Sequence, residues 1–349
     1  TLLLIVVLLV VIGLVILYST SAYNGQVKFH DSFYYLKKQA FATVLGIVLM
    51  LFVAGMDYHI WQRLAVFGYL AAVALSVAVM LFGREINGSK RWLALGPFSF
   101  QPSEFAKVAL ILFLADLVTK NVKTIGKMWT LCRSMFWILP IVGLVGASNL
   151  STAIIILGIG VILIFVASPK YAQFALMGIA GACFMGIFLA LESYRLERLA
   201  IWRNPEKYEK GYQTLQGLYA IGSGGVFGVG IGNSVQKLGF VPEAQNDMIF
   251  SIICEELGLA GAGIIVFLFL LLIWRFFLIA SGSRDLFGAL IATGAMAHMM
   301  IQVILNIAVV TNTIPNTGIT LPFISYGGTS VMFLLIEMGL VLSVSQVVD

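Results

Sequence analysis

The chain has 349 residues, of which 60% are hydrophobic and 11% charged, less than half the roughly 25% charge of a soluble domain. That composition excludes two soluble domains. A net charge of +5 without a dense Lys/Arg run gives no footing for nucleic acid.

Apolar blocks recur along the whole sequence, each about as long as the 20 or so helical residues that cross a bilayer. The first block, ending near Tyr18, lacks the basic start and small-residue cleavage site of a signal peptide. It reads as the first spanning helix, with a cytoplasmic leader expected upstream of Thr1. Apolar runs and polar breaks predict about ten helices: residues 2–22, 39–56, 61–82, 103–118, 134–148, 152–167, 171–191, 248–279, 285–310 and 329–347. The expected fold is an all-α polytopic membrane protein, a single transmembrane domain over residues 1–349.

Between the seventh and eighth helices lies a large polar loop, residues 192–247, rich in charge and glycine. Two shorter polar segments, 83–102 and 311–328, are also rich in Gly and Pro. With ten helices all three fall on one side of the membrane, where they can build one site. Charge counting does not support that side as the outer one, since about twelve basic residues fall outside against about eight inside. Cys132, Cys183 and Cys254 lie in or beside apolar blocks without a pairing motif, and His30, His59 and His298 are far apart, so no His/Cys metal site is expected.

Residues 87–107 read NGSKRWLALGPFSFQPSEFAK. Pro102, Ser103 and Glu104 open a helix that Ser103 can cap and whose positive end suits Glu104. Lys107, three residues on, shares a face with Glu104. A lysine at that depth is costly unless paired or solvated, which makes it a functional candidate, or half of a pair that orients the helix. Residues 212–258 read YQTLQGLYAIGSGGVFGVGIGNSVQKLGFVPEAQNDMIFSIICEELG. The glycines allow tight turns, and no Gly-Lys-Ser/Thr follows to make a phosphate loop. Asp247 stands where this loop meets an apolar helix. Desolvation there would raise its pKa toward that of a general base, while the helix dipole would favour its charged form. Residues 316–328, NTGITLPFISYGG, would break helical structure at membrane depth. On the ninth helix His298, Gln302 and Asn306 form a polar stripe suited to interhelical hydrogen bonds. Glu255 and Glu256 follow Asp247, at least one of them expected inside the bundle, and Glu337 is isolated on the last helix.

These segments resemble the SEDS family of peptidoglycan glycosyltransferases. Asn87, Gly88, Arg91 and Trp92, then Gln101 to Glu104 and Lys107, are similar to one family signature. Pro242, Glu243, Asp247, Ile249 and Phe250, then Glu255 to Gly258, are similar to a second, although Gln245, Asn246 and Met248 replace its His, Thr and Phe. Residues 316–328 are similar to a third nearly throughout, and Thr320 points to the FtsW/SpoVE branch, with RodA next.

The resemblance implies a polymerase of lipid II that works by inverting transfer, releases undecaprenyl pyrophosphate and serves division or sporulation septa. It implies Asp247 as catalytic base, and Lys107, Arg91, Lys90, Arg195, Arg198, Glu104, Glu243, Gln101, Ser103 and Ser325 as substrate-binding residues. No cofactor is required by the pattern; a divalent cation, Mg or Mn, near Asp247 or Glu243 is left open. The implied partners are a class B penicillin-binding protein, other divisome or elongasome membrane proteins, lipid II and membrane lipids. The implied location is the bacterial inner membrane, with an extracytoplasmic site. A flippase for the lipid-linked precursor, or a membrane scaffold without chemistry, are the alternative readings. The flippase would want symmetry-related broken helices, and no repeat between the halves is evident.

Overall fold

A computed structural model describes residues 1–86, 89–95, 98–175, 177–179 and 200–347. Eleven α-helices carry the described fold. They are α1 (Leu2–Phe29), α2 (Tyr34–Ala54), α3 (His59–Phe82), α4 (Pro102–Asn121), α5 (Met128–Phe136), α6 (Leu139–Gly146) and α7 (Leu150–Ala167), then α8 (Tyr212–Gly224), α9 (Ile249–Gly282), α10 (Leu286–Val310) and α11 (Gly328–Ser345). Eight spans among the described residues are long and apolar enough to cross a membrane, α5 and α6 together counting as one. The chain is a multi-pass membrane protein.

Large apolar side chains such as Phe52, Phe67, Leu81 and Phe267 are exposed around the bundle. In water such a surface would aggregate; in lipid it is the solvated face. Helix α4 is not one of these eight spans, because it carries Glu104, Lys107, Asp116 and Lys120. It packs against α3, α7, α10 and α11 and is buried along nearly its whole length, so Glu104, Lys107 and Asp116 are enclosed in protein while Lys120 at the far end is exposed. Toward its far end Asp116 accepts from Lys120 at 2.6 Å and from Gln62 at 3.0 Å.

The expected helix over 134–148 is two helices. Trp137 and Ile138 separate α5 from α6, and Pro140 follows at the start of α6. Proline cannot donate an N–H to the preceding turn, so a single helix would lose a hydrogen bond there. The segment 83–102 holds a three-stranded antiparallel meander, β1 (Arg84–Ile86), β2 (Ser89–Leu95) and β3 (Phe98–Phe100). The long loop contributes α8, which apolar-run reading passed over because it is short and mixed in polarity. Most of the helix expected over 171–191 lies outside the described residues, as does Cys183.

Helix α9 is two helices joined at Gly258, whose φ of 67° and ψ of −169° are not helical. The break leaves backbone groups without intrahelical partners, and the glycine-rich loop supplies them. Val229 and Gly230 N–H donate to the Glu255 and Glu256 carbonyls at 2.9 Å each, while Leu259 and Ala260 N–H donate to the Gly225 and Val226 carbonyls at 2.9 Å each. Those four bonds satisfy backbone that lipid could not. Both glutamates are buried, and their side chains fasten the rest of the loop. Glu255 accepts from Ser234 Oγ and, at 3.0 Å, from the Val235 N–H. Glu256 accepts from Lys237 Nζ at 2.6 Å and from Ser19 Oγ of α1 at 2.7 Å.

Candidate active site

The three polar segments meet at one end of the bundle. Tyr326 N–H in the third segment donates to Gln245 O in the second at 2.9 Å, and Trp202 Nε1 donates to Asn312 O at 2.9 Å. Thr329 Oγ1, at the start of α11, donates to Ser99 O in the meander at 2.7 Å, which brings in the first segment. Leu321 to Ser325 are buried although none is in a helix. Non-helical backbone persists at that depth only when enclosed by protein. Ser325 shows how: its Oγ accepts the Leu321 N–H at 2.8 Å and its carbonyl accepts from Gln39 of α2 at 3.3 Å. That hydroxyl closes a turn.

Asp247 sits just before α9, partly buried under the third segment. Gln213 Nε2 of α8 lies 3.5 Å from Asp247 Oδ1, and Gln213 Oε1 accepts from Asn316 at 3.2 Å. Desolvation raises the Asp247 carboxyl from 3.8 to about 7. The Asp247 and Met248 backbone N–H groups partly offset this rise, and the charge of Glu243 adds to it. Burial therefore outweighs the pull of the helix start. Glu243 itself is exposed, has φ of 53° and accepts from Asn246 Nδ2.

The polar stripe of α10 ties Asp247 to the interior. Asn306 Nδ2 donates to Asp247 O at 2.8 Å and to Ile319 O at 2.7 Å. One turn deeper, Gln302 Nε2 donates to Thr320 O at 3.0 Å while its Oε1 lies 3.5 Å from Lys107 Nζ. One turn deeper again, His298 Nε2 is 2.8 Å from Gln302 Oε1, and His298 Nδ1 is 2.8 Å from Glu337 Oε2. Glu337, isolated in the sequence, thus finds its partner on a neighbouring helix. Lys107 also pairs with Glu104 at 3.0 Å, and Glu104 accepts from Ser330 at 2.9 Å.

Lys107 is 2% exposed, so it is enclosed in this network and not open to solvent. The meander cation Arg91 stands differently: with Gln101, Ser103, Ser148 and Asn149 it lines a small cavity beside the start of α4, and its Nε donates to Ser148 O at 2.9 Å. The expected cap at Ser103 does not form. Gln101 is the N-cap residue without a side-chain cap bond, Pro102 takes the first helical position, and Ser103 Oγ is buried without a partner. A proline that supplies no N–H has shifted the helix start by one residue. Lys90 faces Glu85 across the β1–β2 ladder, with its side chain outside the described residues, as are Arg195 and Arg198 altogether. Among the described residues no three His, Cys, Asp or Glu side chains gather as a metal cluster.

Gln213, Lys237 and Ser19 escaped the sequence reading. Gln213 and Ser19 are common residues without a motif of their own, and their roles exist only through contacts 34 and 237 positions away. Lys237 carried a usable signal, as a lone charge in an otherwise neutral stretch near two buried glutamates.

The whole chain, residues 1–349, matches the FtsW, RodA and SpoVE family model, described as cell cycle protein. It is 40% identical to stage V sporulation protein E of Bacillus subtilis, covering 99% of this chain and 96% of that one. It is 34% identical to a probable peptidoglycan glycosyltransferase FtsW of Geobacter, covering 97% and 94%. Among solved structures it is similar to a chain from a peptidoglycan synthase complex, described as coordinating polymerization and crosslinking, with a TM-score of 0.84, 30% identity, and coverage of 99% and 96%. The Thermus thermophilus rod shape determining protein RodA follows with a TM-score of 0.73, 28% identity, and coverage of 99% and 95%. These likenesses over the full length show that the chain belongs to the FtsW/RodA/SpoVE family of cell-cycle proteins.

Proposed function

We propose that this protein is a peptidoglycan glycosyltransferase that polymerises lipid II. The observation that carries the reading is Asp247, a carboxylate whose burial brings its pKa to about 7 at the meeting point of the three segments. In the reaction, the 4-hydroxyl oxygen of the acceptor sugar attacks the anomeric carbon of the donor. Asp247 accepts the hydroxyl proton as the new C–O bond forms. The bond to the undecaprenyl pyrophosphate breaks, and both its electrons leave with the diphosphate. Direct attack turns an α donor linkage into a β product. A diphosphate is already a competent leaving group, so it asks for charge stabilisation rather than protonation. Arg91, whose guanidinium can hold two phosphate oxygens at once, is the cation best placed in a cavity. Lys107 acts from inside, paired with Glu104 and tied to Gln302. Asp247 and Glu243 are the carboxylates that would hold a divalent cation, which would supply further charge stabilisation to the diphosphate.

The site would face the extracytoplasmic side of the bacterial inner membrane, with residues 192–247 as an outer loop. A class B penicillin-binding protein would take the strands for crosslinking. The test is the purified protein in liposomes with lipid II and that partner, with glycan strands resolved on a gel. A ladder of products supports the reading; unchanged lipid II, with flipping or nothing else observed, removes it.

Lys107→Ala should lower turnover by about ten-fold or more, because it leaves Glu104 as an unpaired buried charge beside the site. Glycan yield at several lipid II concentrations checks this, and wild-type turnover throughout would make the pair a helix strut only.

A further inference from the structure

The two most enclosed ionisable side chains among the described residues have no part in the chemistry above. His298 is 1% exposed and Glu337 1%, and they face each other across α10 and α11, deep below Asp247. Their contacts determine how the neighbouring Gln302 is turned. Thr320 O is a backbone carbonyl and can only accept, so the end of Gln302 at 3.0 Å from it must be the amide nitrogen. The amide oxygen then faces the other way, toward Lys107 Nζ at 3.5 Å and His298 Nε2 at 2.8 Å. Lysine can only donate, which fits. His298 Nε2 must therefore carry hydrogen and donate as well. The proton between His298 Nδ1 and Glu337 Oε2 completes the arrangement, whichever of the two atoms holds it.

Turning the Gln302 amide over would place its NH2 against the Lys107 ammonium and its oxygen against Thr320 O. Both contacts would become repulsive at once, inside protein where no water relieves them. On the reading of this protein as a lipid II polymerase, we propose that His298, itself oriented by Glu337, is a positioning residue that locks the Gln302 amide between Lys107 and the third polar segment. One residue then keeps two parts of the site in register, the Glu104–Lys107 pair of α4 and the Ile319–Thr320 backbone. The same stripe of α10 holds Asp247 through Asn306. His298 touches no reacting atom in this scheme. Its effect is on the placement of the base and of the segment above it, so it should appear in kcat and leave KM nearly unchanged.

The experiment separates the Nε2 donor from mere volume. A glutamine side chain can place its NH2 where His Nε2–H stands, whereas asparagine reaches only to the Nδ1 position. His298→Gln should keep kcat within about three-fold of wild type, while His298→Asn and His298→Leu should lose about ten-fold or more, with KM changed by less than about two-fold. Asparagine resembles glutamine chemically, so a folding defect alone would not divide them. A second measurement needs no turnover. The chain has three histidines, and His30 and His59 are both exposed. Nitrogen NMR of the His30→Gln, His59→Gln protein in detergent therefore reports His298 alone. A protonated Nε2 is expected. An unprotonated Nε2, or equal losses in His298→Gln and His298→Asn, would overturn the proposal. If the wild-type protein makes no glycan, the reaction reading falls and the nitrogen spectrum still decides the placement of Gln302.

Discussion

Asp247→Asn should leave a folded protein that makes no detectable glycan. Asparagine keeps the size of the side chain and the contact with Gln213, but it cannot take a proton at neutral pH. Removal of a general base costs about 10²- to 10⁴-fold in rate, enough to erase product in a gel assay. Asp247→Ala should behave alike. Wild-type strands from either variant would take Asp247 out of the reaction. The wild-type protein should also show a titration. The base works when deprotonated, and burial raises its pKa from 3.8 to about 7. Turnover should therefore rise about ten-fold per pH unit below that value and level off above it. Stability runs the other way. A carboxyl whose folded pKa is raised favours the protonated fold, so its contribution is full below 3.8 and is lost as pH rises through about 7. Thermal melting at pH 5 and pH 8 should show that loss shrink in Asp247→Asn. A flat rate profile between pH 5 and 7 would mean that another group limits proton transfer.

The parts of this protein that were legible in its sequence are those governed by composition and local chemistry. Spans such as α3 and α10 can be read within a few residues because lipid demands an unbroken apolar run. Three polar segments at one end are expected from the number of crossings, and the Tyr326 N–H bond to Gln245 O at 2.9 Å joins two of them. Position alone leaves Asp247 open between a general base and a helix cap, and the resemblance of residues 242–258 to the family signature is what singles it out. What could not be read depends on distant partners. Glu337 looked solitary until α10 was packed against α11, and Gln302 looked like a bilayer hydrogen bond without a direction. Ser103 was misplaced as a cap because Pro102 takes the first turn in a way that only the backbone reveals. The break inside α9 was hidden for a different reason. Apart from Glu255, Glu256 and Arg275 the run 249–282 carries no charge, and a glycine in a membrane helix is ordinary. Only the loop on the other side of the contact distinguishes Gly258 from Gly263.

That difference yields a large predicted effect. At Gly258 a side chain would run into the backbone of the glycine-rich loop: its Cβ would lie 2.3 Å from Gly228 N, 2.4 Å from Val226 O and 2.6 Å from Phe227 N. Backbone of that kind cannot step aside as a flexible side chain can. The φ of 67° with ψ of −169° is also a conformation that glycine alone adopts at low cost. Gly258→Ala must therefore displace the loop or straighten the helix. A displaced loop gives up four backbone bonds across the break, from Val229, Gly230, Leu259 and Ala260. A straightened helix turns everything before the break, at about 100° per residue added to or removed from the turn. Asp247 stands at the start of that stub, with Glu255 and Glu256 near its end, so the stub cannot rotate without carrying the base away from Gln213 and Asn306. Loss of about 3 kcal/mol or more in stability is expected from strain and orphaned backbone together, along with loss of glycan synthesis. Gly263→Ala is the control, since a Cβ there meets nothing within 4 Å. It should melt and polymerise like the wild type. Gly258→Ala with an unchanged melting temperature would show that the loop does not hold the break, and the placement of Asp247 would then need another cause.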